Sequence, residues 1–170
     1  FEDYSFCPDN AVYLAHLAAR TERIKLAFGA VILPWNAPLR AAEKIALLDE
    51  LSDGRVIFGM GRGLSRREYE QFGIDMETSR ERFDEAAPMV LKALETGVIE
   101  GNGKYYKQPR AYIRPKPVRS FKGRVTSVAM SPDSALEAAT HGAQMMIFTQ
   151  KSIEEHNSDF EPYRARFRQL

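Results

Sequence analysis

The sequence has 170 residues, with 24 Lys and Arg against 23 Asp and Glu, so its formal net charge is +1. This balance excludes a strongly basic face for nucleic acid, and no apolar run approaches the roughly 18 residues that would span a membrane. The single cysteine, Cys7, excludes an internal disulfide framework, and the three histidines are too scattered to ligate a metal. We therefore expect a globular chain in a reducing compartment, the cytoplasm.

Helix-like and strand-like segments alternate along the first third of the chain. Residues 8–10 supply turn and N-cap side chains for a helix over 11–20, where apolar residues recur at helical spacing. Residues 24–33 form a nearly continuous apolar run, which is typical of a strand buried on both faces. After a proline-rich loop the pattern predicts a helix over 39–52, with a proline in its first turn and Gly54 as its left-handed stop.

The same alternation continues through the rest of the chain, with one interruption. A strand over 55–60 is followed by a glycine-rich loop, short helical material and a helix over 78–96, which Pro88 should kink or divide. Residues from about 98 to 123 differ, because a turn at 101–103 lies between short extended pieces and indicates a hairpin-like insertion. Two further strands are predicted over 125–130 and 144–149, with a capped helix between them.

Strand–helix alternation predicts parallel strands joined by right-handed crossovers. Periodicity does not separate a doubly wound open sheet from an eight-stranded barrel. Four predicted strands are too few to close such a barrel, which needs about 250 residues. A complete chain would favour the open sheet, whereas a fragment is compatible with the barrel. Because the chain starts with Phe1 in loop-like sequence, we expect it to be a piece of a longer protein.

In both architectures ligands bind at the carboxyl ends of the strands, so the loop GMGRG at 59–63 is the first candidate site. Its glycines let backbone N–H groups approach an anion, and Arg62 can clamp that anion with paired donors. The loop is not a dinucleotide fingerprint, since Leu64 stands where the third glycine would be, and it lacks the Walker lysine. A tight turn with a solvated arginine is the alternative.

The segment SPDS at 131–134 is the second candidate site. Serine as N-cap, proline in the first helical position and aspartate in the first turn are what a well-capped helix shows. Two hydroxyls at a helix N-terminus beyond a strand can also bind phosphate, and the two roles can coexist.

Small and aromatic residues near these loops have less specific interpretations. Gly29 and Ala30 lie in an apolar strand, where a bulky ligand could approach the backbone, although crowding against a helix explains them more simply. Tyr69, Phe72 and Phe83 are predicted to be core residues.

Taken together and in order, these segments resemble the bacterial luciferase-like family of flavin-dependent monooxygenases. The resemblance extends from about residue 9 to 148 and rests on LAHLAARTERIKLAFGAVILPWNAPLRAAEKIALLDELSDGRVIFGMGRG, EYEQFGIDMETSRERFDEA, RPKPV and SPDSALEAATHG. LDELSDGR followed by GMGRG and EYEQFG is the most specific part. The resemblance implies an α/β fold, a luciferase-like (β/α)8 TIM barrel of which about half is present, as one domain over 1–170 with the insertion at about 98–123.

The resemblance also implies which residues hold the cofactor. Seven residues match family positions around the flavin: Gly29, Ala30, Asn36, Arg62, Arg80, Ser131 and Ser134. The two arginines and the two serines correspond to the groups that hold the flavin phosphate. The Gly-Ala pair corresponds to a non-prolyl cis peptide beneath the flavin ring, and the asparagine lies in a loop near that ring. No residue can be assigned as a catalytic acid or base.

The activity that the resemblance implies is oxidation of a small organic substrate by O2, with reduced FMN supplied by a separate flavin reductase. Two alternatives stay open, a deazaflavin-dependent oxidoreductase and a non-catalytic flavin-binding homologue. Family members commonly dimerise through the helices that correspond to 11–20 and 39–52, so we expect a homodimer, with no nucleic acid, membrane or metal as a partner. The residues give no indication of the substrate.

Overall fold

The computed structural model describes residues 9–148 and 152–169. Cys7 and the predicted end of the last strand at 149 lie outside these residues. The helices are α1 (Asn10–Arg20), α2 (Pro38–Leu51), α3 (Arg66–Gln71), α4 (Ser79–Thr96), α5 (Pro132–Thr140) and α6 (Asn157–Phe167). The strands are β1 (Leu26–Ala27), β2 (Val31–Ile32), β3 (Val56–Gly61), β4 (Val98–Asn102), β5 (Lys107–Tyr112), β6 (Val125–Val128) and β7 (Gln144–Met146).

A parallel sheet organises the chain. Its strand order is β1, β3, β6, β7, and β2 also pairs with β3. Phe58 lies opposite Val125, and Thr126 lies opposite Gln144. Because the strands are parallel, their carboxyl ends share one edge, so the loops after β2, β3 and β6 lie on the same side of the sheet. The predicted α/β architecture with a parallel sheet is confirmed.

The sheet is curved rather than flat. β1 and β7 are three strand spacings apart, which is roughly 14 Å in a flat sheet. Nevertheless, the Sδ atom of Met146 on β7 lies 4.0 Å from where a Cβ at Gly29, just after β1, would stand. Such an approach requires the strands to curl toward each other, as they do in the wall of a barrel.

The apolar run at 24–33 is not one continuous strand, and that prediction is wrong. It is divided into β1 and β2, both paired with β3, and the Gly29–Ala30 peptide bond between them is cis. At this point a Cβ on Gly59 of β3 would lie 1.9 Å from the carbonyl oxygen of Phe28. The two main chains approach so closely that the strand ladder is interrupted and position 59 has no room for a side chain.

The helices follow their local sequence signals closely. The Asp9 carboxylate accepts the first N–H groups of α1, and α2 begins at Pro38, as predicted. Gly54 and Gly97 follow the ends of α2 and α4 with φ of 73° and 77°, a left-handed conformation in which glycine is favoured. Pro88 lies inside α4, which is assigned as one uninterrupted helix. Terminal signals of this kind fix helix ends to within one residue here.

The hairpin is present, but its turn is not where the sequence predicted it. β4 runs through Asn102, so the turn lies after that residue rather than at 101–103. The Glu85 carboxylate of α4 accepts hydrogen bonds from the N–H groups of Lys104 (2.7 Å), Tyr105 (2.9 Å) and Tyr106 (3.1 Å). A side chain from another element therefore sets this turn, which the hairpin's own sequence could not indicate.

The core lies between the sheet and the helices α2 and α4. Its large side chains include Phe28, Phe58, Met60 and Phe83, each at most 1% exposed. Tyr69 is buried as predicted, whereas the prediction for Phe72 is wrong, since its side chain is 56% exposed and stacks on Trp35. No helix within the described ranges is both long and apolar enough to cross a membrane.

Candidate functional site

The loop after β3 has a defined shape. Gly63 has φ of 85°, and a Cβ there would lie 2.8 Å from the Trp35 ring, so glycine is required for both conformation and space. Ser65 then caps α3 by accepting the N–H of Glu68. The Tyr69 hydroxyl donates to the carbonyl oxygen of Arg62. These contacts restrain the backbone that carries the Arg62 side chain.

The Arg62 guanidinium, in contrast, has no partner in residues 9–148 and 152–169. It is half-buried, yet within the part of the chain that the structure describes it makes no hydrogen bond or ion pair. Partly buried charged groups are ordinarily paired, because desolvation of an uncompensated charge is costly. Arg62 is therefore available to an anionic ligand at the carboxyl end of β3.

Arg80, in the first turn of α4, lies beside the beginning of α5. Its guanidinium is 3.9 Å from the carboxylate of Asp133, and the two side chains are 47% and 81% exposed. An exposed ion pair at this distance contributes little, so Arg80 can exchange Asp133 for a ligand at small cost.

The N-terminus of α5 completes the group. Ser131 is the N-cap, as the sequence predicted, and it also forms a capping box with Ser134. The Ser134 hydroxyl is buried, accepts the N–H groups of Met130 (3.1 Å) and Ser131 (3.0 Å), and hydrogen-bonds the Ser131 hydroxyl at 2.9 Å. Ser134 therefore shapes the turn, and Ser131 is the more exposed hydroxyl of the pair.

A pair of carboxyl groups lies near these basic groups. Glu137 of α5 is hydrogen-bonded to Asp84 of α4, and burial together with this neighbour raises the pKa of Glu137 to about 8. Arg62 and Arg80 both act to lower the same pKa, so both guanidinium groups lie within electrostatic range of Glu137. The structure thus brings the two predicted arginines and the serine pair together around the start of α5.

Gly29 and Ala30 lie between β1 and β2 and form a separate, open part of the sheet. Apart from Met146, none of the described residues comes within 4 Å of an ideal Cβ on Gly29, so a flat group has space to approach. The Ala30 carbonyl accepts a hydrogen bond from the Asn10 side chain at 3.1 Å, which anchors the cis peptide to α1.

Asn36 is not brought to the basic group. Its Nδ2 donates to the Ile32 carbonyl at 2.7 Å, which closes the loop after β2. It lines a cavity of about 300 Å³ together with Trp35, Lys44 and Phe72. Its predicted position near a flavin ring stays a prediction.

Two residues of this region were missed by sequence reasoning. Tyr69 was assigned only to the core, although its hydroxyl holds the Arg62 carbonyl. Glu137 was not singled out, although it lies three residues after Ser134 and hence on the same helix face, a spacing that could have drawn attention to it.

Three known proteins show what the chain is similar to. The alkanal monooxygenase alpha chain of Aliivibrio fischeri is 29% identical over 96% of this chain and 46% of its own length. The oxygenase component of the flavin-dependent trigonelline monooxygenase of Acinetobacter baylyi is 28% identical over 85% of this chain and 41% of its own. The crystal structure of monooxygenase RslO1 from Streptomyces bottropensis superimposes with a TM-score of 0.90 at 29% identity, covering 97% of this chain and 51% of that one.

The chain spans about half the length of the curated relatives it matches. Solved F420-dependent oxidoreductases share the fold alone, with TM-scores of 0.67 and 0.78 at 24% and 19% identity. The architecture is therefore part of a luciferase-like α/β barrel. The model of the luciferase-like monooxygenases matches residues 1–169, and the chain belongs to that family.

Proposed function

We propose that the protein containing this chain is an FMN-dependent monooxygenase that oxidises a small organic substrate with O2. The observation that carries the proposal is the half-buried guanidinium of Arg62 at the carboxyl end of β3, which has no hydrogen-bond or ion-pair partner among the described residues and lies near Arg80 and α5. In a chain of the luciferase-like family, a cationic site of this kind at this edge fits the phosphate of a flavin nucleotide.

The residues present fit that group in charge and in shape. A phosphate monoester carries close to two negative charges, and two arginines with a hydroxyl at a helix N-terminus can compensate them. Arg62 and Arg80 would hold the phosphate, Ser131 would donate a hydrogen bond, and Ser134 would keep the turn in shape. The open backbone at Gly29 and the Sδ of Met146 would face the isoalloxazine ring.

The reduced flavin, when bound, supplies the electrons for oxygen activation. The chain's own residues bind and orient it. The phosphate clamp and the backbone at Gly29 would fix the two ends of the cofactor. None of the described residues is assigned as a catalytic acid or base.

We propose a separate reductase as the source of reduced flavin, which the description of the trigonelline relative as an oxygenase component supports. We further propose a cytoplasmic homodimer. Apolar side chains on α1 and α2 support an interface there, since Val12 and Tyr13 are 69% and 56% exposed and Leu47 and Leu51 are 48% and 58% exposed. Sedimentation of the full-length protein as a monomer at micromolar concentration would contradict the dimer.

The test of the cofactor proposal is titration of the full-length protein with FMN and with riboflavin, which lacks the phosphate. We expect saturable FMN binding, much weaker riboflavin binding, and loss of the difference when Arg62 and Arg80 are both changed to Ala. Arg23→Ala is the matched control, because it removes an exposed arginine just before β1, at the amino ends of the strands. It should change neither the FMN affinity nor the riboflavin affinity. Equal binding of the two ligands by the wild type would contradict the phosphate site.

The deazaflavin cofactor is the second candidate, because its phosphate can occupy the same edge and the fold is shared with F420-dependent enzymes. Titration with both cofactors side by side separates the two. Substrate-dependent O2 consumption with FMN and a flavin reductase is expected for the monooxygenase. Tighter binding of the deazaflavin, with no O2 consumption, would replace the proposal with the alternative.

A further inference from the structure

The Tyr69 hydroxyl is the only tyrosine hydroxyl in the described residues that contacts the loop carrying Arg62. Tyr69 lies on α3 and is 1% exposed. Its hydroxyl donates its proton to the Arg62 carbonyl, which directly precedes the left-handed residue Gly63. This bond therefore restrains the backbone from which the Arg62 side chain extends.

A second element, α4, comes next to the Tyr69 side chain. The Ser79 side chain lies close enough to Tyr69 to act on its pKa, which it lowers, and Ser79 directly precedes Arg80. Burial has the larger effect and raises the pKa of Tyr69 to about 12, so the phenol keeps its proton over the physiological range. Tyr69 therefore lies between the two segments that carry the arginines.

The ring of Tyr69 is held independently of its hydroxyl. Trp35 packs edge-on against it with ring centroids 4.9 Å apart, and Trp35 is in turn stacked on Phe72 at 5.1 Å. A phenylalanine at position 69 would keep this packing and lose the hydrogen bond to the Arg62 carbonyl. The contribution of the hydroxyl can therefore be measured without disturbing the core.

We propose that the Tyr69 hydroxyl is a positioning group, which fixes how far apart the two phosphate-binding arginines, Arg62 and Arg80, lie. The inference rests on the proposed flavin-phosphate site and adds a residue that does not itself touch the ligand. A phosphate is bound by both guanidinium groups only when their spacing matches its oxygens, so freedom between α3, α4 and the loop costs affinity for the phosphate alone.

The experiment compares FMN and riboflavin binding by Tyr69→Phe in the full-length protein. We expect the dissociation constant for FMN to rise about five- to tenfold, as for loss of a hydrogen bond that orients a charged group, with riboflavin changed less than about twofold. Tyr163→Phe is the matched control, because it removes a tyrosine-to-carbonyl bond of 3.1 Å to Ala143 at the other end of α5. That control should leave the affinities for both ligands unchanged.

Two further measurements distinguish positioning from a general structural role. In an Arg62→Ala background, Tyr69→Phe should have no further effect, because it acts through Arg62. Ser79→Ala, which removes the hydroxyl next to Tyr69 on the α4 side, should weaken FMN binding about two- to threefold and serves if Tyr69→Phe does not fold.

An equal loss for FMN and riboflavin, unchanged FMN affinity, or a full effect in the Arg62→Ala background would each overturn the inference while leaving the proposed cofactor intact. If the wild type does not prefer FMN over riboflavin, the phosphate site and the inference fall together.

Discussion

Strand β3 has an arginine at each end, and the two have opposite surroundings. Arg55, before the strand, makes four hydrogen bonds within the chain. Its guanidinium donates to three carbonyls and one hydroxyl, those of Ala18, Ile24, Ser52 and Thr21. Arg62, after the strand, has no hydrogen bond or ion pair among the residues that the structure describes. The same side chain therefore supports the fold at the amino end and is left open to a ligand at the carboxyl end.

Strand β6 repeats this contrast. At its amino end Arg124 donates to both carboxylate oxygens of Asp49, at 2.7 and 3.3 Å, and Asp49 is fully buried. Its guanidinium also stacks on the Phe121 ring at 4.2 Å. At the carboxyl end β6 leads to Ser131 and the exposed start of α5. The number of hydrogen bonds made by the arginines distinguishes the stabilising edge of the sheet from the edge at which we propose that the ligand binds.

The largest effect should come from breaking the stabilising edge. Arg124→Ala leaves the buried Asp49 carboxylate without its partner, so we expect the free energy of unfolding to fall by about 3–5 kcal/mol. Urea denaturation measures this loss. The preference for FMN over riboflavin should survive in the folded fraction, and a loss of that preference would show that the two edges are not independent.

The next effect compares the two ends of β3 directly. Arg62→Ala should weaken FMN binding about tenfold to a hundredfold while changing the stability of the unliganded protein by less than about 0.5 kcal/mol. Arg55→Ala should do the reverse, lowering stability by about 1.5–3 kcal/mol and leaving FMN affinity unchanged. Isothermal titration measures the FMN affinity of both variants, and urea denaturation measures the stability of both. If Arg62→Ala and Arg55→Ala lost the same stability, the difference between the two ends of β3 would be contradicted.

A smaller effect is expected at Ser131, which caps α5 and also belongs to the proposed phosphate site. Ser131→Ala should cost about 1 kcal/mol of stability and a few-fold in FMN affinity. Ser131→Thr keeps a capping hydroxyl and should recover both. Recovery of stability without recovery of FMN affinity would mean that the hydroxyl only caps the helix.

A separate effect is the pH dependence of stability. Because the pKa of Glu137 is raised from 4.5 to about 8, the folded state binds this proton more tightly than the unfolded state. The stabilisation is present below pH 4.5 and is lost as pH rises toward about 8. Glu137→Gln should therefore flatten the stability profile between these values in urea denaturation.

His141 is the internal control for this profile. Burial lowers the pKa of His141, whereas Asp84 acts to raise it. A depressed histidine pKa loses stability as pH falls, so its contribution is opposite in sign and should persist in Glu137→Gln. An unchanged profile in Glu137→Gln would show that the carboxyl does not titrate in this range.

The sequence predicts those features that local residues determine. α2 starts at Pro38 and ends before Gly54 because the proline and the left-handed glycine act within a few positions of themselves. Capping by Ser131 follows for the same reason. Local sequence made Arg62 and the serine pair candidate anion sites, but only the resemblance grouped them with Arg80 in one proposed phosphate site. Nothing in their spacing along the chain places Arg62 beside α5.

What the sequence did not reveal depends on contacts between distant elements. The apolar run that ends at Leu33 looks continuous, but the approach of Gly59 to the Phe28 carbonyl interrupts its ladder. Phe72 has the composition of a core residue, yet Trp35 supplies only one face for it, and the other face is exposed. A residue type gives no information on how much of its surface the rest of the chain covers.

Glu85 determines which segments could be exchanged together between members of this family. The turn between β4 and β5 is held by this carboxylate, and a Cβ on Gly103 would lie 2.1 Å from its oxygen. The hairpin tip is also tied to the loop after β2, because the Tyr106 hydroxyl lies 2.8 Å from the Pro34 carbonyl. A hairpin grafted from another member would keep its shape only if residue 85 travelled with it. The hairpin and the turn of α4 that carries Glu85 therefore form a single unit for recombination.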